Sequence, residues 1–108
     1  FSIYFGCDHE DVEHCIELVF KELKQLREQR LSDSQMRAAK KQLIGQIGVS
    51  SDNNESNALG MAKTFLHYNR FVTSVEAFRN IELLTAELLQ EVAQEILAPE
   101  NLSVLCFH

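Results

Sequence analysis

The fold of this chain is decided by residues 10–30, which read EDVEHCIELVFKELKQLREQR. Their apolar side chains recur three and four positions apart and so form one continuous stripe along an α-helix. The members of this stripe are Val12, Cys15, Ile16, Val19, Phe20, Leu23 and Leu26. Acidic residues precede basic ones, as the helix dipole favours, and Asp8 can cap the first turn. The pattern predicts one long amphipathic helix whose stripe the rest of the chain must cover.

The composition is typical of one folded domain or of part of one. The chain has 108 residues, of which 45% are hydrophobic and 24% charged, enough for a single core. Its formal charge is -6, and its basic residues alternate with acidic ones instead of forming a patch. No apolar run approaches the roughly 20 residues that cross a bilayer. We therefore expect a single domain over residues 1–108 that binds neither nucleic acid nor a membrane.

The compartment that the sequence indicates is the cytoplasm. Cys7, Cys15 and Cys106 are an odd number without a C-x-x-C motif, which suits a reducing environment. The opening residues FSIYFG carry neither an initiator Met nor the features of a secretory signal. We expect a cytoplasmic location, buried thiols, and a chain that is an internal segment of a longer protein.

Capping signals divide the rest of the chain into elements. A capping box at Ser32–Gln35 opens a second helix, a turn at residues 50–54 a third, Thr73 a fourth and Thr85 a fifth. Asn69 is the residue best able to end the third helix in a left-handed conformation. Two β-prone runs, residues 3–5 and 102–107, flank the helices and are predicted to be strands.

This element order predicts an α+β fold. We expect a two-layer sandwich of about five helices on one face of a small antiparallel or mixed sheet, built from the N- and C-terminal strands. A two-stranded sheet is marginal in water. The strands are therefore expected either to join strands of the parent chain or to pair, edge to edge, with a second copy as a homodimer.

The histidines near the first helix do not have the spacing of a metal site. Zinc peptidase helices of the inverted type need H-x-x-E-H, with two histidines four apart on one face. His9 and His14 are five apart, and Glu10 with His14 could hold only a weak surface ion. We predict no metal-binding residue in this chain and interpret the cluster as a solvated helix start.

Two further groups could carry chemistry. A nucleophilic cysteine needs a partner base, and the nearest, His14, is adjacent to Cys15 and points elsewhere on the helix. Residues 67–70, His-Tyr-Asn-Arg, form either a substrate or subunit contact or a polar helix end, of which the helix end is favoured. We predict no catalytic and no cofactor-binding residue.

Three segments together resemble one family in their order and spacing. They are residues 1–7 with the helix that follows to residue 40, residues 55–70 ending in Tyr-Asn-Arg, and residues 81–93 with the closing stretch 99–104. They are similar to the closing part of a domain of the pitrilysin-type zinc peptidases, which include insulin-degrading enzyme and the mitochondrial processing peptidases. Asn69 stands where that family has Gly.

The resemblance implies a role without chemistry of its own. In that family zinc is held by an H-x-x-E-H helix and a distant Glu in the opening half of a catalytic domain. The Arg and Tyr that contact substrate would lie upstream of Phe1. The implied function is a non-catalytic structural and substrate-enclosing portion of a peptide-hydrolysing metallopeptidase, with zinc in the parent enzyme only.

The implied partners are the other domains of the parent chain and its peptide substrate. Two alternatives remain open: an inactive binding subunit of a processing-peptidase-like heteromer, and an unrelated helical self-association domain.

Overall fold

The chain forms five α-helices in a computed structural model that describes residues 1–107. They are α1 (Val12–Glu28), α2 (Asp33–Ser51), α3 (Asn54–Tyr68), α4 (Ser74–Leu83) and α5 (Ala86–Ile96). Single turns of 3-10 helix precede α1 at His9–Asp11 and follow α5 at Pro99–Asn101. The contacts divide the chain into two compact units. Unit 1 comprises Phe1–Leu31 and the chain from Glu87 onward, and unit 2 is Ser32–Ala86.

Helix α1 confirms the amphipathic helix predicted from residues 10–30. Its stripe is graded: Leu23 is buried, while the stripe residues before it are half-buried and Leu26 is 39% exposed. The helix ends where Gln29 becomes extended and donates its backbone N–H to the Gln25 carbonyl at 2.8 Å. The predicted cap was wrong, because Asp8 makes no side-chain capping bond. The apolar stripe along one side of the helix, and not a side-chain cap at its first turn, is what specifies α1.

The core of unit 1 lies where α5 packs on α1. Leu23, Ala93 and Leu97 are its buried residues, and Val19 and Leu102 pack partly against them. The amides of Gln90 and Gln94 both donate to the Arg27 carbonyl, at 3.2 and 3.1 Å. These bonds satisfy a carbonyl in the last turn of α1, which has no partner inside its own helix. The apolar contact and the side-chain hydrogen bonds from Gln90 and Gln94 therefore hold the same two helices together.

Unit 2 is built on α2, which packs against both α3 and α4. The predicted capping box is confirmed, with Ser32 and Gln35 bonded reciprocally. Met36 and Ile81 are its buried apolar side chains. The Lys40 ammonium donates at 2.8 Å to the carbonyl of Glu82 in the last turn of α4, where the helix dipole favours a cation.

The prediction of an α+β sandwich was wrong. Within residues 1–107 there is no strand and no sheet, and neither residues 3–5 nor 102–107 join a backbone ladder. Tyr4, Leu105 and Phe107 are among the most exposed side chains of the chain. The physical reason is that a strand is stabilised by a neighbouring strand, and two short segments offer each other too few pairs. Their β-prone composition therefore did not produce a sheet.

The chain exposes much more surface than a compact protein of its mass. Its accessible area is 9103 Å², whereas a folded monomer of 12.4 kDa exposes roughly 6100 Å². Two separate compact bodies of half that mass would together expose roughly 7400 Å². The accessible area of the chain exceeds both figures, and many of its large apolar side chains are exposed. In the described chain no helix is both long enough and apolar enough to cross a membrane.

We expect Leu23→Ala to destabilise unit 1 by about 2–4 kcal/mol, because it removes a buried α1 side chain from the cluster that it forms with Ala93 and Leu97. Thermal unfolding followed by circular dichroism measures the loss. Leu26→Ala on the same helix is the matched control, since Leu26 is 39% exposed, and should cost about 1 kcal/mol or less. Equal losses in the two variants would contradict this description of the core.

Candidate functional site

The histidines near the start of α1 are not assembled into a ligand set. His9 lies in the 3-10 turn and His14 in α1, and both are exposed. Throughout residues 1–107 no three His, Cys, Asp or Glu side chains are grouped so that they could hold a metal ion. The described residues thus offer no preformed metal centre around which a reaction could be built.

Two cysteines from the ends of the chain border one open depression in unit 1. Its volume is about 480 Å³, and it is lined by Cys7, His9, Val12, Cys106 and Phe107. None of the three cysteines forms a disulfide. The prediction of buried thiols was wrong for Cys7 and Cys106, which are exposed, while Cys15 is half-buried. The loss of the sheet explains this, because a second strand would have covered each terminal segment.

Cys7 has Cys15, Asp11 and Asp8 as its electrostatic neighbours. The pKa of Cys7 is raised above its ordinary value, first by desolvation of its sulfur, then by its interactions with Cys15, and then by the negative charges of Asp11 and Asp8. Catalytic cysteines depend on a lowered pKa and a positive environment. A raised pKa in an acidic environment therefore argues against Cys7 as a nucleophile at neutral pH.

Sequence reasoning missed that Cys7 and Cys15 are electrostatic neighbours. It placed Cys7 in or beside a strand and Cys15 on the helix stripe, and so treated them separately. The signal that was available is their short separation, with seven residues between them along the chain.

We expect Asp11→Asn to lower the pKa of Cys7 and so to speed its alkylation by iodoacetamide at pH 7.5, by no more than about threefold because exposed charges are screened. Peptide mapping after cleavage at Glu10 and Glu13 separates Cys7 from Cys15 and measures the rate for each. The control is Asp33→Asn in unit 2, which should leave the rate unchanged. An equal or slower rate in Asp11→Asn would contradict this electrostatic account.

Residues 67–70 form a helix end. Asn69 has φ 52° and ends α3 in the left-handed conformation, which confirms its predicted role. The Arg70 guanidinium donates to the Glu76 carboxylate at 2.7 Å, across the loop that leads into α4. The ring centroids of Phe65 and Phe71 lie 5.1 Å apart. Arg70 is thus occupied within its own unit, which supports the helix-end interpretation over a substrate contact.

The start of α4 should depend on its cap more than on this ion pair. Thr73→Ala removes the acceptor of the Glu76 N–H and should cost about 1 kcal/mol. Arg70→Ala breaks a pair whose arginine side chain is 59% exposed, and should cost less. The control is Thr64→Ala, which removes a hydroxyl bonded to the Gly60 carbonyl inside α3 and should be neutral or stabilising. Urea unfolding of the three variants gives the order, and a larger loss in Arg70→Ala would overturn it.

The exposed apolar side chains are the most extensive feature that the fold leaves unexplained. In unit 1 they are concentrated in the two terminal segments and recur on the helices. They include Phe1, Ile3, Tyr4, Phe5, Leu18, Val92, Ile96, Val104, Leu105 and Phe107. In unit 2 they include Val49, Leu59, Leu66, Phe71 and Val75. Extended apolar surface of this kind marks sites of interaction with other protein.

Charge is divided unequally between the two units. Unit 1 contains eleven acidic and four basic residues, whereas unit 2 contains five acidic and six basic ones. Phosphate backbones bind where basic side chains outnumber acidic ones. The apolar surface of unit 1 is therefore set in an acidic environment that disfavours polyanions.

The comparisons with known proteins agree with the sequence resemblance over the first part of the chain. Residues 1–43 match the family model described as the Peptidase M16 inactive domain. No curated protein and no solved structure matches the chain. The match contains the terminal segment, α1 and the first half of α2. It confirms the resemblance to the closing portion of a pitrilysin-type peptidase and supports a non-catalytic domain of that family. The resembling segments at residues 55–70 and 81–104 lie outside it.

Proposed function

We propose, on the match of residues 1–43 to the peptidase M16 inactive domain, that this chain is a structural and substrate-enclosing portion of a zinc-dependent peptidase. In this proposal the reaction takes place outside the chain. Zinc bound by the parent enzyme would lower the pKa of a water molecule that attacks the peptide bond, with a glutamate as general base. The chain itself contributes packing surface.

The excess of exposed apolar area supports this role. A chain that is stable without other protein is expected to bury most of its large apolar side chains. Here both terminal segments expose aromatic side chains: Tyr4 near the start is 90% exposed and Phe107 near the end is 89% exposed. In this proposal the other domains of the parent chain cover that surface, and the enclosed peptide contacts what they leave open.

The inactive binding subunit is the alternative that shares this support. Both functions require a surface that encloses the peptide, and they differ only in the zinc motif of the parent. An intact H-x-x-E-H upstream favours the hydrolase, and its loss favours the binding subunit.

The decisive test compares the same substitution in two settings. In the isolated chain we expect Tyr4→Glu to leave stability unchanged within about 0.5 kcal/mol, because that side chain is almost fully exposed. In the full-length parent protein it should lower peptide hydrolysis at least tenfold while the zinc content stays the same, because the ring would there be covered by another domain.

The matched control is Ser2→Glu, which adds the same charge to the same segment where a polar residue already stands. It should reduce hydrolysis much less. Hydrolysis that is unaffected by Tyr4→Glu in the parent, or zinc-dependent peptidase activity in the isolated chain, would overturn the proposal.

A further inference from the structure

The open depression of unit 1 brings the two ends of the chain to one place. Cys7 and His9 line it from the N-terminal side, Cys106 and Phe107 line it from the C-terminal side, and Val12 lies between them. Its volume of about 480 Å³ would hold roughly 16 water molecules. The side chains around it are therefore separated by only a few water diameters, and two of them carry exposed thiols.

We propose that Cys7 and Cys106 form a reversible disulfide across this depression when the chain meets a small disulfide such as oxidised glutathione. The thiolate of one cysteine attacks a glutathione sulfur, the S–S bond breaks, and one glutathione leaves as a thiol. The thiolate of the second cysteine then attacks the cysteine sulfur of this mixed disulfide and releases the second glutathione. One glutathione disulfide is reduced to two thiols, two cysteine thiols are oxidised to one disulfide, and the two cysteine protons pass to the glutathiones that leave.

Both cysteines lie on segments whose backbone can shift to make the bond. A disulfide holds its two Cα atoms about 4.4–6.8 Å apart. In the described chain the backbone hydrogen bonds outside the helices do not involve residues 1–7 or residues 103–107. The approach of one segment to the other therefore breaks no such bond.

Each segment is also held close to the depression by a neighbouring residue of the fold. Val12 begins α1 five residues after Cys7, and Leu102 packs against the core of unit 1 four residues before Cys106. The two thiols therefore stay near each other while the intervening residues adjust. The bond would tie together the first and last parts of a unit that is formed by both ends of the chain.

Cys15 is the competing partner, because it is an electrostatic neighbour of Cys7. It is half-buried in the first turn of α1 and does not line the depression. Thiol–disulfide exchange depends on access to the attacking thiol, which favours the two exposed cysteines. Oxidation should therefore join Cys7 to Cys106 and leave Cys15 reduced.

Cleavage after glutamate distinguishes the pairings, because it releases Cys7 in peptide 1–10, Cys15 in peptide 14–17 and Cys106 in peptide 101–108. The 108-residue chain is incubated with oxidised glutathione, its remaining thiols are alkylated, and the monomer is digested and analysed by mass spectrometry. We expect peptide 1–10 to be joined to peptide 101–108 with the loss of two hydrogens, and peptide 14–17 to carry an alkyl group. Dithiothreitol before alkylation should separate the joined peptides and restore one alkyl group on each.

The matched control is the same oxidation in denaturing urea. In an unfolded chain the shorter loop costs less entropy to close, so Cys7 should there pair mainly with Cys15. A change of partner between the two conditions shows that the fold, and not the sequence separation, selects Cys106.

Two variants complete the test. Cys15→Ser should leave the cross-link of the folded chain intact, and Cys106→Ser, at an exposed position, should abolish it. The proposal is overturned if peptide 1–10 is joined to peptide 14–17 in the folded chain, if Cys7 and Cys106 carry only glutathione or alkyl groups, or if the two peptides are joined only between separate chains.

Discussion

The packing of α5 on α1 is the constraint on which unit 1 depends. Leu23 comes from near the start of the chain, and Ala93 and Leu97 come from near its end. Closing so long a loop costs entropy, which the burial of a few apolar side chains and the bonds to the Arg27 carbonyl must offset. Ala93 is buried in this cluster, and Leu97 adds to it just past the end of α5. Leu102, in the C-terminal segment, packs against the same cluster.

The buried apolar core of the described residues is small. Only Leu23, Met36, Ile81, Ala93 and Leu97 are buried apolar residues among those described. Folded domains are stable by a small difference between burial and conformational entropy. A chain whose aromatic terminal segments and helix faces remain exposed realises only part of its available burial. Such surface is suited to contact with more protein.

The sequence by itself determined the helices, because their signals are local. The stripe around Leu23, the capping box at Ser32, the cap at Thr73 and the left-handed Asn69 all operate within one or two turns of chain. The family resemblance could also be read from the order of segments, and the family match confirms it over residues 1–43. Tertiary structure decided what local signals cannot contain. Whether residues 3–5 and 102–107 become strands depends on whether neighbouring strands are available to pair with them. Such partners lie elsewhere in space, and periodicity along the chain does not specify them.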